Sequence, residues 1–184
     1  ADAIVDPDGD ALTLTVTRAG GTTLPSWLAF DPATLSFSGR PPENVNGTIA
    51  LTLTASDGLV STSRTFDLVI APVNDLPTLS APFSDRFATE DTPFVVALQT
   101  GLASDVDGDA LTYEVRQADG SALPSWLAFD PDAFTLAGTP PADYAGTVAL
   151  RMLISDGEAT ISDAFDLTIN PVNDAPVLGA PLAD

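Results

Sequence analysis

The chain contains neither cysteine nor histidine, and each absence excludes a class of chemistry. Without cysteine there can be no disulfide, no thiolate-bound zinc or iron–sulfur centre and no thiol nucleophile. Without histidine the commonest general base, transition-metal ligand and pH switch are missing. Metal binding, if it occurs, must therefore rely on oxygen ligands.

Positive charge is also scarce. Six basic residues, all of them arginine, stand against 26 acidic ones, for a net charge of −20 at pH 7. Such a field repels nucleic acids and anionic membranes and attracts divalent cations. No run approaches the roughly 20 apolar residues that cross a bilayer. We expect no nucleic-acid partner, no direct membrane insertion, and a secretion signal or anchor only outside this fragment.

The sequence repeats itself with a period of 99 positions, as Asp107 against Asp8 shows. At this shift Asp6–Asp85 aligns with Asp105–Asp184 without a gap, and "LPSWLAFDP" recurs. A period near 100 residues fits one domain per repeat. We predict a first repeat at residues 1–77, a second at 78–176, and a lead-in to a following repeat at 177–184.

Both repeats carry the pattern of β-strands. Leu12–Thr17 and Thr48–Ser56 alternate apolar residues with threonine, and Leu111–Arg116 and Thr147–Ser155 do the same. Glycine, proline and Asp-Gly pairs interrupt these runs about every 8–12 residues, without helical periodicity. The pattern predicts an all-β fold in which each repeat is a β-sandwich of about 100 residues.

The first repeat lacks an opening strand in this sequence. The second repeat has a candidate first strand at Pro93–Gln99, whereas the first repeat begins at Ala1 without a similar segment. A missing strand leaves backbone groups unpaired and core uncovered. One hypothesis is that a segment of another copy, as in a homodimer, or the chain's own tail fills this edge. The alternative is that the sandwich tolerates an open edge.

Each repeat contains a loop with three aspartates in five residues, "DPDGD" and "DVDGD". An Asp-Gly turn needs only one aspartate, so turn formation alone does not explain the other two. Clustered carboxylates in a loop are typical ligands of calcium, which takes six to eight oxygens. One loop cannot supply that many, and the nearby "SDG" and "PVND" loops offer more. We therefore predict calcium (Ca²⁺) at these loops.

The order "TEDTPF … DVDGDALTYEV … LPSWLAFDP … GTPP … ISDGEATISDAFDLTI … PVNDAP" resembles the cadherin-like, dystroglycan-type domain, which overlaps with Ig-like families of large bacterial surface proteins. The resemblance implies tandem Ig-like or cadherin-like β-sandwiches with Greek-key connections and about seven strands each. It also implies calcium at the junctions between repeats. The acidic cadherin pair is absent at Gly39–Glu43 and Gly138–Ala142, so we expect fewer ions than in cadherins. The implied ligands are Asn74, Asp75, Asp105, Asp107, Asp109 and Asp156 between the repeats, Glu90, Asp91, Asn173 and Asp174 toward a following repeat, and Asp6, Asp8, Asp10 and Asp57 toward a preceding one.

The resemblance implies an extracellular adhesion or extender module that calcium makes rigid. Its partners would be neighbouring repeats, and a surface protein or glycan. A carbohydrate-binding module is the alternative, and it would need exposed aromatic rings such as those of Tyr113, Phe134 and Tyr144. We expect Trp27 and Trp126 to be buried, because apolar residues flank both. The four glutamates are scattered, so we expect no glycoside hydrolase and no enzyme.

Overall fold

The computed structural model describes residues 4–175, and every regular element there is a β-strand. The predicted all-β fold is therefore confirmed. Among these residues no helix could span a membrane. The chain divides into two units, Ala1–Val73 and Asn74–Asp184. The division lies inside the Pro-rich segment where we placed the end of the first repeat, and the predicted lead-in at 177–184 lies outside the described residues.

Unit 1 has five strands among its described residues. Three of them form an antiparallel sheet in the order β1-β4-β5, and β2 pairs with β3 as a separate hairpin. The turn between β4 and β5 is closed by Asp57, whose Oδ1 accepts the N–H groups of Leu59 and Val60 at 2.7 Å each. The strands are β1 (Thr13–Arg18), β2 (Leu28–Asp31), β3 (Ser36–Gly39), β4 (Gly47–Ser56) and β5 (Ser61–Ile70).

Unit 2 has nine strands within residues 74–175, and seven of them are four residues or longer. One sheet has the order β10-β13-β14-β7, a second has the order β11-β12-β8, and β6 pairs with β9. Strand β7 runs parallel to β14, whereas the other pairs are antiparallel. The strands are β6 (Thr78–Leu79), β7 (Arg86–Thr89), β8 (Phe94–Ala97), β9 (Ala103–Ser104), β10 (Thr112–Gln117), β11 (Leu127–Asp130), β12 (Thr135–Gly138), β13 (Gly146–Ser155) and β14 (Thr160–Asn170).

The core of unit 2 explains the period-two pattern of its central strand. Leu150, Met152 and Ile154 alternate along β13 and are fully buried. They pack in one cluster with Leu136 of the second sheet and with Phe83, which precedes β7. Alternation places every second side chain on one face, so a single strand can contribute several residues to the core. The predicted opening strand of this repeat is β8, within Pro93–Gln99.

The core of unit 1 is less complete. Leu51 of β4 is fully buried, but Phe66 of β5 is 38% exposed, whereas its counterpart Phe165 is 3% exposed. In unit 2 the corresponding apolar surface is covered by residues 78–104, which form β6 to β9. The described residues of unit 1 include no strand equivalent to these four. Among the described residues, β3 has no neighbour where β12 pairs with β8, and β5 has none where β14 pairs with β7.

We expect unit 1 to unfold at a lower denaturant concentration than unit 2, because less of its apolar surface is buried. Each unit has one tryptophan, so Trp126→Phe leaves Trp27 as a fluorescent reporter of unit 1, and Trp27→Phe leaves Trp126 for unit 2. In addition, Leu51→Ala should destabilise only the Trp27 transition, and Met152→Ala only the Trp126 transition, each by about 2–5 kcal/mol. Coincident midpoints for the two reporters would contradict the difference.

Candidate calcium-binding loops

The loop between β9 and β10 holds the central aspartates of the second repeat. Asp105 Oδ1 accepts the N–H groups of Asp107 at 2.8 Å and of Asp109 at 3.5 Å. Gly108 lies in the left-handed region, with φ of 83°, which allows the chain to bend sharply there. As a result one carboxylate oxygen of each aspartate lies within 4.8 Å of the others. The loop therefore gathers three negatively charged groups at one point.

Two residues of the linker between the repeats, Asn74 and Asp75, are hydrogen-bonded to the loop between β13 and β14 and to this loop, respectively. The N–H of Asp75 donates to Asp107 Oδ2 at 2.8 Å, and Asn74 Nδ2 donates to Asp156 Oδ2 at 3.1 Å. These hydrogen bonds join residues that are 32 and 82 positions apart in the sequence. The structure thus brings together the six residues that the sequence resemblance assigned to the junction between the repeats.

Asp156 is held in its ionised form by hydrogen bonds. The N–H of Ala159 is the main cause that lowers the pKa of Asp156 below its ordinary value, and the Asn74 amide adds to it. Its Oδ1 accepts the N–H groups of Glu158 at 2.7 Å and Ala159 at 2.6 Å. Donors that favour the charged carboxylate keep it available as a ligand at acid pH.

One oxygen of this cluster has no protein partner. Asp105 Oδ2 is buried and accepts no hydrogen bond from the described residues. A buried carboxylate oxygen without a donor is unfavourable, because it has lost its hydrogen bonds to water and has gained none from the protein. A bound cation would supply the missing interaction. The donor set fits calcium, since carboxylate and amide oxygens are the hard ligands that it prefers.

The first repeat has the same turn but not the same cluster. Asp6 Oδ1 accepts the N–H groups of Asp8 at 2.8 Å and Asp10 at 3.3 Å. Within residues 4–175, however, the only three carboxylates that meet within 4.8 Å are those of the second repeat. Asp57 is held by the N–H groups of Val60 and Leu59, in that order of effect, which lower its pKa. The described part of the first repeat thus forms the turn without a cluster of three carboxylates.

The third predicted set lies at the carboxyl-terminal end of unit 2. Glu90 is 2% exposed, its Oε1 accepts the N–H of Val172 at 2.7 Å, and its Oε2 has no partner among the described residues. Desolvation, followed by the negative charges of Asp143, Asp91 and Glu90, raises the pKa of Asp174. Several carboxylates therefore repel one another around a buried one. Asn173 lies beside Asp174, whose C=O accepts its amide at 3.2 Å.

Asp143 is an acidic neighbour of this set that the sequence did not predict. It follows the segment Gly138–Ala142, which the resemblance identifies as lacking an acidic pair. Its φ of 59° is left-handed, as is that of Asp91 at 58°, and aspartate tolerates this conformation better than most residues. The first repeat has Asn44 at the corresponding position, with φ of 61°. Neither spacing nor composition indicates that Asp143 lies close to Asp174.

The aromatic residues pack mostly inside the sandwich. Trp126 is half-buried against the core, with Phe94 at 6.5 Å and Tyr144 at 5.4 Å between ring centroids. Phe134 is buried and packs edge-on to Tyr113 at 5.0 Å. Of the three rings that a carbohydrate platform would require, only that of Tyr144 is exposed. Trp27 is half-buried as well, so both tryptophans are less buried than expected.

Fold and loops together define a tandem Ig-like repeat module whose sandwiches carry acidic ends. The chain belongs to the family described as "Putative Ig domain", whose model matches residues 1–71 and 76–170. The predicted resemblance to Ig-like repeats of bacterial surface proteins is thus confirmed.

The comparisons with individual proteins agree with this class. Over 158 residues the chain is 28% identical to the "Serine-rich adhesin for platelets" of Staphylococcus aureus strain USA300. The matched region covers 84% of this chain but only 6% of the adhesin. Human protocadherin-24 EC1-2 shares the fold, with a TM-score of 0.55 and 15% identity over 91% of this chain and 85% of that one. An endo-fucoidan hydrolase of glycoside hydrolase family 107 aligns over 90% of this chain and 24% of its own length, with 24% identity and a TM-score of 0.41. A likeness this weak supports no inference.

We expect Asp174→Asn to stabilise the calcium-free protein at neutral pH. A carboxyl whose pKa is raised by folding destabilises the folded state when ionised, and this penalty disappears as the pH falls through the raised pKa toward the ordinary value of 3.8. The increase in Tm over wild type in EGTA should therefore be largest near pH 7 and should vanish at acid pH. Asp132→Asn, at an exposed turn, controls for the change in net charge. An increase that does not depend on pH would contradict the assignment.

Proposed function

We propose that this chain is a calcium-binding extender or adhesion module of an extracellular surface protein. The observation that carries the proposal is the loop cluster of unit 2, where Asn74 and Asp75 of the linker are hydrogen-bonded to Asp156 and Asp107. Beside them lies Asp105 Oδ2, which is buried and has no hydrogen-bond partner in the described part of the chain. Calcium bound among these groups would hold the linker and the loops in one arrangement.

Repulsion among the carboxylates of the loop favours the binding of a cation there. The chain has a net charge of −20, and the three loop carboxylates approach within 4.8 Å. Like charges at this separation repel by about 1 kcal/mol in water and by more where water is excluded. A divalent ion replaces this repulsion with attraction. Because it binds only the folded loops, calcium at 100 times its dissociation constant would add about 2.7 kcal/mol of stability.

The mechanical consequence follows from where the ligands lie in the sequence. Asn74 and Asp75 belong to the proline-bounded segment Ala71–Pro77, which leads out of the first repeat. An ion that binds them together with the loops would restrict the motion of this segment. The chain has no cysteine, so no disulfide can supply this restraint instead. Extracellular modules bind calcium with dissociation constants of about 10⁻⁴–10⁻³ M, so the ion would bind outside the cell and leave inside it.

Similarity to a staphylococcal surface adhesin and membership of the Ig family support a location at the cell surface. The cadherin-like fold supports a non-enzymatic, adhesive or spacing role, and we retain the cadherin-like, dystroglycan-type assignment as part of this proposal. The partners would be neighbouring repeats and a surface protein or glycan. A carbohydrate-binding role gains no support from the aromatic residues, because they pack mainly into the core.

Calcium titration of the intact chain tests the proposal. Thermal unfolding in EGTA, in about 10 mM calcium and in equal magnesium should show a calcium-specific rise in Tm, and calorimetry should give a dissociation constant near 10⁻⁴–10⁻³ M. Asp105→Asn keeps the turn, since an asparagine oxygen accepts the same N–H groups, but should weaken calcium binding by about tenfold or more.

Asp132→Asn is the matched control, because it removes the same charge at an exposed turn outside the cluster. It should change the calcium affinity by less than about twofold, as a distant surface charge is screened. If calcium leaves Tm unchanged in the wild type, or if Asp105→Asn binds calcium as well as the wild type, the calcium function is wrong.

A further inference from the structure

Two of the six arginines of this chain face each other across one strand pair of unit 2. Arg116 of β10 lies directly opposite Arg151 of β13 in the antiparallel register. Val115 and Met152, their neighbours along the strands, are buried, so alternation turns both arginines to the outer face of the sheet. Like charges at opposed positions of a strand pair are destabilising. A negative group bound between them would remove this repulsion.

The fold itself does not require two arginines at these positions. The first repeat has Thr17 and Thr52 at the counterpart positions, and they form the same antiparallel pair. Threonine suits the outer face of a strand and carries no charge. Packing of the sandwich therefore does not explain Arg116 and Arg151, which points to a role in binding.

Arg151 lacks an acceptor in the protein. Its Nε is buried and donates to no acceptor within residues 4–175, whereas its Nη groups are not enclosed. The single ion pair in that part of the chain joins the other arginine, Arg116, to Glu114, from Nη2 to Oε1 at 2.8 Å. A charged group that has lost water at one donor without gaining an acceptor is unfavourable. Because the guanidinium charge is delocalised, an anion at the Nη groups would offset that loss.

The loop between β10 and β11 approaches both guanidinium groups closely. Arg116 Nη1 donates to the C=O of Gly120 at 3.4 Å, and a side chain at Gly120 would place its Cβ 2.8 Å from Arg151 Nη2. Hydrogen bonds from the hydroxyl and then the N–H of Ser121 lower the pKa of Asp119, and the charge of Arg151 adds a smaller effect. Asp119 is thus attracted to Arg151, but within residues 4–175 it forms no ion pair with it.

The sheet beside Arg151 carries only small side chains on the side away from Arg116. Ala164 of β14 lies directly opposite Arg151, and Ala149 precedes Arg151 by two residues on β13. Both alanines are exposed, and alternation places them on the same face as the two arginines. A ligand can therefore reach the Nη groups of Arg151 across the alanines.

We propose that Arg116 and Arg151 form a binding site for one oxyanion, a carboxylate or a sulfate, either free or carried on an otherwise uncharged ligand. The planar fork of a guanidinium matches two oxygens of such a group, and the resulting charge-assisted hydrogen bonds are among the stronger ones in proteins. Two forks on opposed strands would hold the oxyanion between them. It would supply the negative charge and the acceptors that the protein itself does not give to Arg151.

The net charge limits which ligands can bind. A chain with a net charge of −20 repels polyanions, since each further negative group adds to the repulsion. A ligand with a single oxyanion meets this repulsion once and can use both arginines. The site shares no residue with the predicted calcium ligands, so it goes beyond the function proposed above and does not depend on it.

Titration of the intact chain in calcium-free buffer of low ionic strength tests the site, with heteronuclear NMR of the arginine side-chain N–H groups as the readout. D-glucuronate carries one carboxylate on a sugar, D-glucose is its uncharged analogue, and acetate and inorganic sulfate are free oxyanions. Glucuronate should shift the Arg151 signals with a dissociation constant on the order of 1 mM, and glucose should not. Tighter binding of glucuronate than of acetate and sulfate would assign the site to a ligand-borne oxyanion, and equal binding would assign it to the free ion.

The first repeat supplies the matched variant. Arg116→Thr combined with Arg151→Thr introduces the pair that the first repeat already carries, so the double variant should fold, and it should bind glucuronate about tenfold or more weakly. Glu114→Gln releases Arg116 from its ion pair and should tighten binding by about two- to fivefold, a gain that a purely structural arginine pair would not show.

Arg40→Thr is the control for charge, because Arg40 is exposed, and its counterpart in the second repeat is Thr139. It should change the affinity by less than about twofold, since a distant surface charge is screened. The proposal is overturned if none of the three anions binds, if glucose binds as well as glucuronate, or if Arg40→Thr weakens binding as much as the double variant does. It is likewise overturned if the double variant binds as the wild type does or if Glu114→Gln weakens binding.

Discussion

The constraint on which this structure depends is that the apolar stripe of its central strand pair must be covered on both sides. In unit 2 the stripe on β13 and β14 is enclosed by the opposite sheet and by the segment that includes Phe83. In unit 1 the equivalent stripe is partly exposed at Phe66. Burial of apolar surface is the main favourable contribution to folding. The segment that precedes each sandwich therefore matters as much as the strands that form it.

The acidic residues are separated from this core and concentrated where strands end. Loops at the ends of β-strands can change without disturbing the core, which is why functional groups collect there. In this chain the same aspartates perform two roles. Asp105 and Asp156 each use Oδ1 to accept the N–H groups of a turn. Oδ2 of Asp156 accepts the Asn74 amide, whereas Oδ2 of Asp105 is buried without a partner among residues 4–175. The local turns thus prearrange carboxylates that would otherwise separate.

The proposed calcium binding would couple the stability of the loop cluster to the ion concentration around the protein. A ligand that binds only the folded form raises stability by mass action. The chain contains no cysteine, so no disulfide can restrain the linker in place of the ion.

The sequence by itself determined the repeat, the strand pattern and the tight aspartate turns, because these depend on neighbours a few residues apart. Period-two alternation located β4, β10 and β13 closely, whereas the short strand β7 carried no such signal. Only the tertiary structure decided that Asn74 meets Asp156, which lies 82 positions away. Likewise, only the fold buries one oxygen each of Glu90 and Asp105 without a partner among residues 4–175, and it places Asp143 near Asp174. Long-range contacts depend on how strands pair and cross, and no local pattern encodes the distance between two loops.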